Sequence, residues 1–140
     1  MDSIGKNIGI LFRQLNLYLN HALEVTGLTA TEMMYLGSLA QKDGVSQEEL
    51  AKEFSVNKAA VTRSIQALEN KGLVIRREAA NDKRSKLVYI TSEAMQYNNT
   101  LSDIQSNWYH SVIEGIDDDS RRIFGDVLEI IVDKTRQLNK

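Results

Sequence analysis

Five side chains between positions 58 and 66 offer the most chemistry: Lys58, Ala59, Thr62, Arg63 and Gln66. On a helix their spacing gathers them on one side, while Val61, Ile65 and Leu68, at i, i+4 and i+7, share the other. Arginine can pair bidentately with guanine and glutamine with adenine. Alanine and the threonine methyl can meet a thymine methyl, and lysine can hold a phosphate or a guanine. Such a face suits the major groove of DNA. It equally suits an ordinary solvated helix, so the surrounding elements must decide.

A second basic group follows. Asn81-Asp82-Lys83-Arg84, with Lys86 close behind, reads as the polar tip of a hairpin within Ala79–Ser85. Asp82 lies two residues before Arg84, so its carboxylate can accept from the guanidinium or from local N–H groups and hold the turn. An arginine presented in this way fits a narrow minor groove, where negative potential is focused. As a plain surface pair it would contribute only about 0–1 kcal/mol. Arg76 and Arg77 precede the tip on a strand and point to opposite sides, so one of them, taken as Arg76, joins Lys83, Arg84 and Lys86 at the nucleic acid.

The segments between these groups specify how they are held. Ser46 and Glu49 match a capping box opening a helix that buries Leu50, Ala51 and Phe54. Ser55-Val56-Asn57 makes a turn, and Asn57 is a good N-cap for a helix from Lys58 to Asn70. Lys71-Gly72 stops that helix, glycine being suited to the left-handed position beyond the last turn. Leu73–Glu78 and Lys86–Ile90, rich in Val, Ile, Leu and Tyr, are the predicted strands. Two helices, a turn and a β-hairpin in this order make a helix-turn-helix with a two-stranded wing.

Longer helices flank this lobe. Ile4, Ile8, Leu11, Phe12, Leu15, Tyr18, Leu19, Ala22 and Leu23 form an apolar stripe at helical spacing over residues 4–25. Thr29 and Glu32 match a second capping box, before a helix carrying Met33, Leu36 and Leu39. After Thr91-Ser92 one helix is predicted to run through Met95, Leu101, Ile104, Trp108, Val112 and Ile113. A last one, beyond a break at Gly115–Asp119, holds Ile123, Phe124, Val127, Leu128, Ile131 and Leu138. The outer helices carry more apolar surface than the small centre can cover. They either interleave with a second copy or pack on their own protomer, and the sequence leaves both open.

The bulk properties narrow the class. No proline and only 8 glycines in 140 residues leave few interruptions to helices, so a mainly α (α+β) fold is expected. The net charge of −2 hides a division. Residues 52–86 hold nine Lys/Arg against four acids, a local +5, and the rest holds eight against fifteen, giving −7. Phosphates respond to that local potential. It speaks against the alternative of a winged helix used as a protein–protein interaction module.

The absence of cysteine removes disulfides, thiolate zinc sites and cysteine nucleophiles. His21 and His110 are isolated, and no Ser/His/Asp grouping, phosphate loop or paired buried carboxylates is present. Neither catalytic residues, nor a metal, nor a cofactor is therefore assigned, and an enzyme is not expected. No apolar run approaches the roughly 20 residues that span a bilayer. The opening MDSIGKNIGI lacks the layout of a signal peptide, so no membrane role and a cytoplasmic location are expected.

The segment from Gly27 to Thr91 resembles the MarR (multiple antibiotic resistance regulator) family of winged helix-turn-helix transcriptional regulators. The resemblance rests on Leu28-Thr29, Val61-Thr62-Arg63, Leu68-Glu69-Asn70-Lys71-Gly72-Leu73-Val74, Asp82-x-Arg84 and Ile90-Thr91. It covers about half the chain closely and implies a homodimer on a palindromic operator of double-stranded DNA. Residues 1–26 and 92–140 would be dimerisation helices around a DNA-binding lobe at 28–91, in a single domain of 140 residues.

The resemblance further implies repression relieved by a small-molecule effector, often aromatic or phenolic, bound between the dimer helices and the lobe. It carries the recognition-helix role to Lys58, Ala59, Thr62, Arg63 and Gln66, and the wing role to Arg84 with Asp82 as its anchor. His21, Tyr35 and Trp108 are the polar aromatic residues such a pocket could use, although each reads first as a core or interface residue. Ser55 and Ala94 stand where the family often has glycine. Without cysteine the chain cannot follow the family's thiol-based peroxide sensors, and its two histidines do not suit the zinc-sensing branch.

Overall fold

The computed structural model describes residues 3–140. Met1 and Asp2, which begin the segment 1–26 expected to dimerise, lie outside the described residues. The elements are α1 (Ser3–Ala22), a 3-10 turn (Glu24–Thr26), α2 (Ala30–Gln41), β1 (Val45–Ser46), α3 (Gln47–Phe54), α4 (Lys58–Asn70), β2 (Val74–Ala79), β3 (Asp82–Ile90), α5 (Ser92–Met95), α6 (Asn98–Ile113) and α7 (Asp118–Leu138). They fall into two compact units, one reaching Gln105 and the other Ser106–Lys140. The fold is the mainly helical winged helix-turn-helix expected, with three strands in its sheet where two were foreseen.

In the first unit, the core is built from the residues that helical spacing selected. Val61, Ile65 and Leu68 of α4 are all fully buried, as are Leu39 and Leu50 from α2 and α3. Each such side chain contributes roughly 1.5–3 kcal/mol of burial, an upper bound because the unfolded chain already shields some of it. Both capping boxes form. Thr29 accepts from Glu32 N–H at 3.1 Å while Glu32 accepts from Thr29 N–H at 2.9 Å. Ser46 and Glu49 repeat the exchange at 3.1 and 3.4 Å. The end of α4 closes as a Schellman turn: Gly72 has φ 74° and Leu73 N–H donates to Leu68 C=O at 3.0 Å.

The sheet runs β1-β3-β2, all antiparallel. The extra strand, β1, pairs Val45 with Val88 and Ser46 with Leu87. Two residues are too short to show a period, and Ser46 already signals a helix cap, so nothing local announced it. The wing strands also reach further into the polar tip than predicted. Pairing continues through Glu78↔Lys86 to a shift of register between Glu78 and Ala79, leaving Ala80-Asn81 as the turn. Backbone pairing requires no apolar side chains, and apolar periodicity therefore understated the strands.

Beyond the sheet, the single helix expected after Thr91 is broken into α5 and α6 at Gln96-Tyr97. Neither residue is a helix breaker. Ala94 and Leu101 are both buried, and the chain turns between them to place each against the core.

The second unit is dominated by α7. Asp117 caps it, accepting from Ser120 N–H at 3.0 Å and Ser120 Oγ–H at 2.6 Å. Asp118 and Asp119 lie in the first turn, where the helix dipole favours negative charge. None of its residues is buried, although Ile123, Phe124, Val127 and Ile130 are all more than 40% exposed.

Candidate nucleic-acid interface

The recognition helix α4 is fixed at both ends before any ligand arrives. At its start, Asn57 Oδ1 accepts from Ala60 N–H at 2.7 Å. The turn before it runs through Ser55, which adopts left-handed φ 53° where glycine would be unstrained. Lys58, the first helical residue, is not free: its Nζ lies 2.6 Å from Glu48 Oε1 on α3, with both side chains about half exposed (59% and 48%). The Lys58 hydrogen bond is the main reason the Glu48 carboxyl sits below its ordinary pKa.

Ala59 and Arg63 are exposed on the same side. No hydrogen bond or ion pair engages the Arg63 side chain among the described residues, so its five donors remain available. Thr62 is half-buried. Its hydroxyl donates to Lys58 C=O at 2.9 Å and accepts from Gln47 Nε2 at 3.0 Å, leaving it a single lone pair. Gln47, itself buried, thus joins the start of α3 to α4, a role that no sequence pattern marked.

Gln66 differs from the expectation of a base reader. Its Oε1 accepts from the Arg76 guanidinium, and its Nε2 donates to Asn70 Oδ1 at 2.9 Å. Arg76 is correspondingly drawn inward. Its Nη2 also reaches Glu69 Oε1 at 2.9 Å, and only 20% of its side chain is exposed. Arg77, on the other side of β2, is exposed. One signal could have separated them, since Val74 is buried and strand alternation turns Arg76 to the same side.

At the wing tip, Asp82 Oδ1 accepts from Arg84 N–H at 2.9 Å. Of the two acceptances foreseen for this carboxylate, the backbone one forms. The Arg84 guanidinium and the Lys83 ammonium are exposed, with no partner among the described residues. Lys86 Nζ lies 3.5 Å from Glu78 across the hairpin. The nine cations of residues 52–86 thus divide into those held by acids (Lys58, Lys71, Arg76, Lys86) and those held by none among the described residues (Lys52, Arg63, Arg77, Lys83, Arg84). Among the described residues no group of His, Cys, Asp and Glu could hold a metal ion, and no helix is long and apolar enough to cross a membrane.

Of the three polar aromatics, Tyr35 is 1% exposed and packs edge-on against Phe54 with ring centroids 5.0 Å apart. It is a core residue, and burial raises its pKa. His21 is 85% exposed and lies 3.6 Å from Glu24, while Trp108 is half-buried.

Known proteins share this arrangement. The MarR family model matches residues 26–85, the segment that carries α2 to the wing tip. A MarR transcriptional regulator from Methanosarcina mazei Go1 superposes with a TM-score of 0.90 at 28% identity, covering 99% of both chains. Over residues 26–85, and in its fold, this chain resembles the MarR family. The proteins it resembles are named as transcriptional regulators. One relative of this chain is the uncharacterised HTH-type transcriptional regulator YdgJ of Bacillus subtilis (strain 168). It is 27% identical over 128 residues, covering 91% of this chain and 72% of the relative. A mutant MarR from E. coli, solved in complex with operator DNA, shares the fold at TM-score 0.83 and 24% identity, over 93% of this chain and 94% of that one.

Proposed function

We propose that this chain is a MarR-family regulator, a cytoplasmic homodimer that binds a palindromic operator in double-stranded DNA and represses transcription until a small aromatic or phenolic effector releases it. The observation that carries the DNA reading is the pairing, on one lobe, of a capped helix presenting unpaired Arg63 with a hairpin presenting unpaired Lys83 and Arg84. Arg63, Ala59 and Lys58 would enter the major groove, with Thr62 beside them, and Arg84, backed by the Asp82-stabilised turn, the adjacent minor groove. The operator complex of the E. coli relative supports the same class of partner.

The dimer reading rests on apolar surface. Phe12 on α1 is 67% exposed and Phe124 on α7 61%, each within a stripe of exposed Ile and Leu that a second copy would cover. Selection of bound duplexes from a randomised pool tests the proposal. An inverted repeat with half-site centres about 34–36 Å apart is expected. Enrichment of a single, unrepeated site, or of no sequence, would reject it.

A further inference from the structure

The geometry points to Arg76, Glu69 and Gln66 as a brace that sets the angle of the wing to the recognition helix, a positioning and specificity-determining cluster and not part of the DNA-contacting surface. This deepens, and rests on, the DNA-binding reading above. Glu69 holds residue 76 twice: Oε2 accepts from the backbone N–H at 3.2 Å and Oε1 from the guanidinium at 2.9 Å. The same guanidinium nitrogen donates to Gln66 Oε1, whose amide is in turn anchored on Asn70. Gln66 and Glu69 occupy the last two turns of α4, and Arg76 lies near the start of β2. The cluster therefore spans the point at which the wing departs from the helix.

Two consequences separate a brace from a contact. Drawing Arg76 to a phosphate would strand the Glu69 carboxylate beside a polyanion, so its donors are better satisfied where they are. The turn at Ala80-Asn81 lies four to five residues beyond Arg76. At about 3.4 Å per residue, a tilt of about 10° at the brace would displace the tip by roughly 2–3 Å. A shift of that size changes whether Arg63 and Arg84 can engage their grooves together, while leaving the charge of the lobe intact.

The test uses Glu69→Gln, Arg76→Met, Arg76→Lys and the Glu69→Gln/Arg76→Met double variant. Each is titrated with the selected operator and with random-sequence duplex at several salt concentrations. Glu69→Gln and Arg76→Met are each expected to weaken operator binding about tenfold, leaving random-duplex affinity and salt slope unchanged. The double variant should be no worse than either, and Arg76→Lys, which can reach one acceptor at a time, should recover part of the loss.

The opposite pattern overturns the brace: tighter binding of both duplexes by Glu69→Gln, or a salt slope reduced by about one per protomer in Arg76→Met, would make Arg76 a phosphate ligand held in reserve. Equal losses on operator and random duplex also overturn it. Gln66→Ala, at an exposed position, gives a further arm should the other variants fold poorly. A small loss spread over all operator positions supports the brace, and relaxed preference at one base pair rejects it.

Amide exchange without DNA keeps the two readings separate. The β2 and β3 amides should exchange faster in Arg76→Met, and unchanged exchange sinks the brace. A wild-type protein that binds neither duplex sinks the DNA reading instead.

Discussion

Among the basic residues of the lobe, pairing state is a more useful property than charge. Lys58 and Arg76 are each within 3 Å of a carboxylate, whereas Arg63 and Arg84 have none among the described residues, although all four contribute equally to the local excess of positive charge. Replacing an unpaired cation that neutralises one phosphate removes one released counterion. Arg84→Ala is thus expected to weaken binding to operator and random duplex alike and to lower the salt slope by about one unit per protomer. A salt titration that leaves both unchanged would exclude Arg84 from the interface. At Gly44 the constraint is steric. Its φ is 68°, and an added Cβ would meet Tyr89 Cε1 at 2.8 Å. Gly44→Ala combines a left-handed penalty of about 1–2 kcal/mol with displacement of that ring, and urea denaturation should register a loss of at least roughly that size.

Elements in this lobe are joined by polar contacts as much as by apolar ones. Lys71, which follows α4, donates from Nζ to both oxygens of Glu32 on α2 at 2.8 and 2.9 Å and to Gly27 C=O at 2.9 Å. Glu32 is 4% exposed. Lys71→Met would leave a buried carboxylate with only its capping N–H, at an expected cost of roughly 2–3 kcal/mol, less than for a fully buried pair because the lysine is 38% exposed. Thermal unfolding of the variant measures it.

The brace at Glu69 predicts a pH dependence. Hydrogen bonding from Arg76 is the largest influence on this carboxyl and holds it below the ordinary value of 4.5. The unfolded state therefore takes up the proton first, so the contribution is present above pH 4.5 and fades as pH falls through the lower folded value. In Arg76→Met, that part of the acid decline in stability should be absent from urea midpoints compared between neutral pH and pH 3.5 or below. A wild-type decline that persists unaltered in the variant would show the pair to be energetically idle.

The whole molecule presents more apolar surface than one protomer covers, and the prediction at this scale concerns assembly. Sedimentation should give about twice the 15.8 kDa chain mass, and Phe124→Asp, at a 61% exposed position, should shift it towards the monomer without lowering helix content. A wild-type protein of single-chain mass would count against the dimer. Much of this organisation was legible from sequence because it is local. Caps at Thr29, Ser46 and Asn57, the inward face Val61-Ile65-Leu68 and the stop at Gly72 each depend on residues within a turn or two. What sequence could not supply were pairings over longer separations: β1 with β3 across more than 40 residues, Lys71 with Glu32 across 39, and the capture of Arg76 and Gln66 by one another. Side-chain type and periodicity determined which groups could face DNA. Tertiary structure alone decided which of them are already neutralised, because a hydrogen bond depends on distance in space and not along the chain.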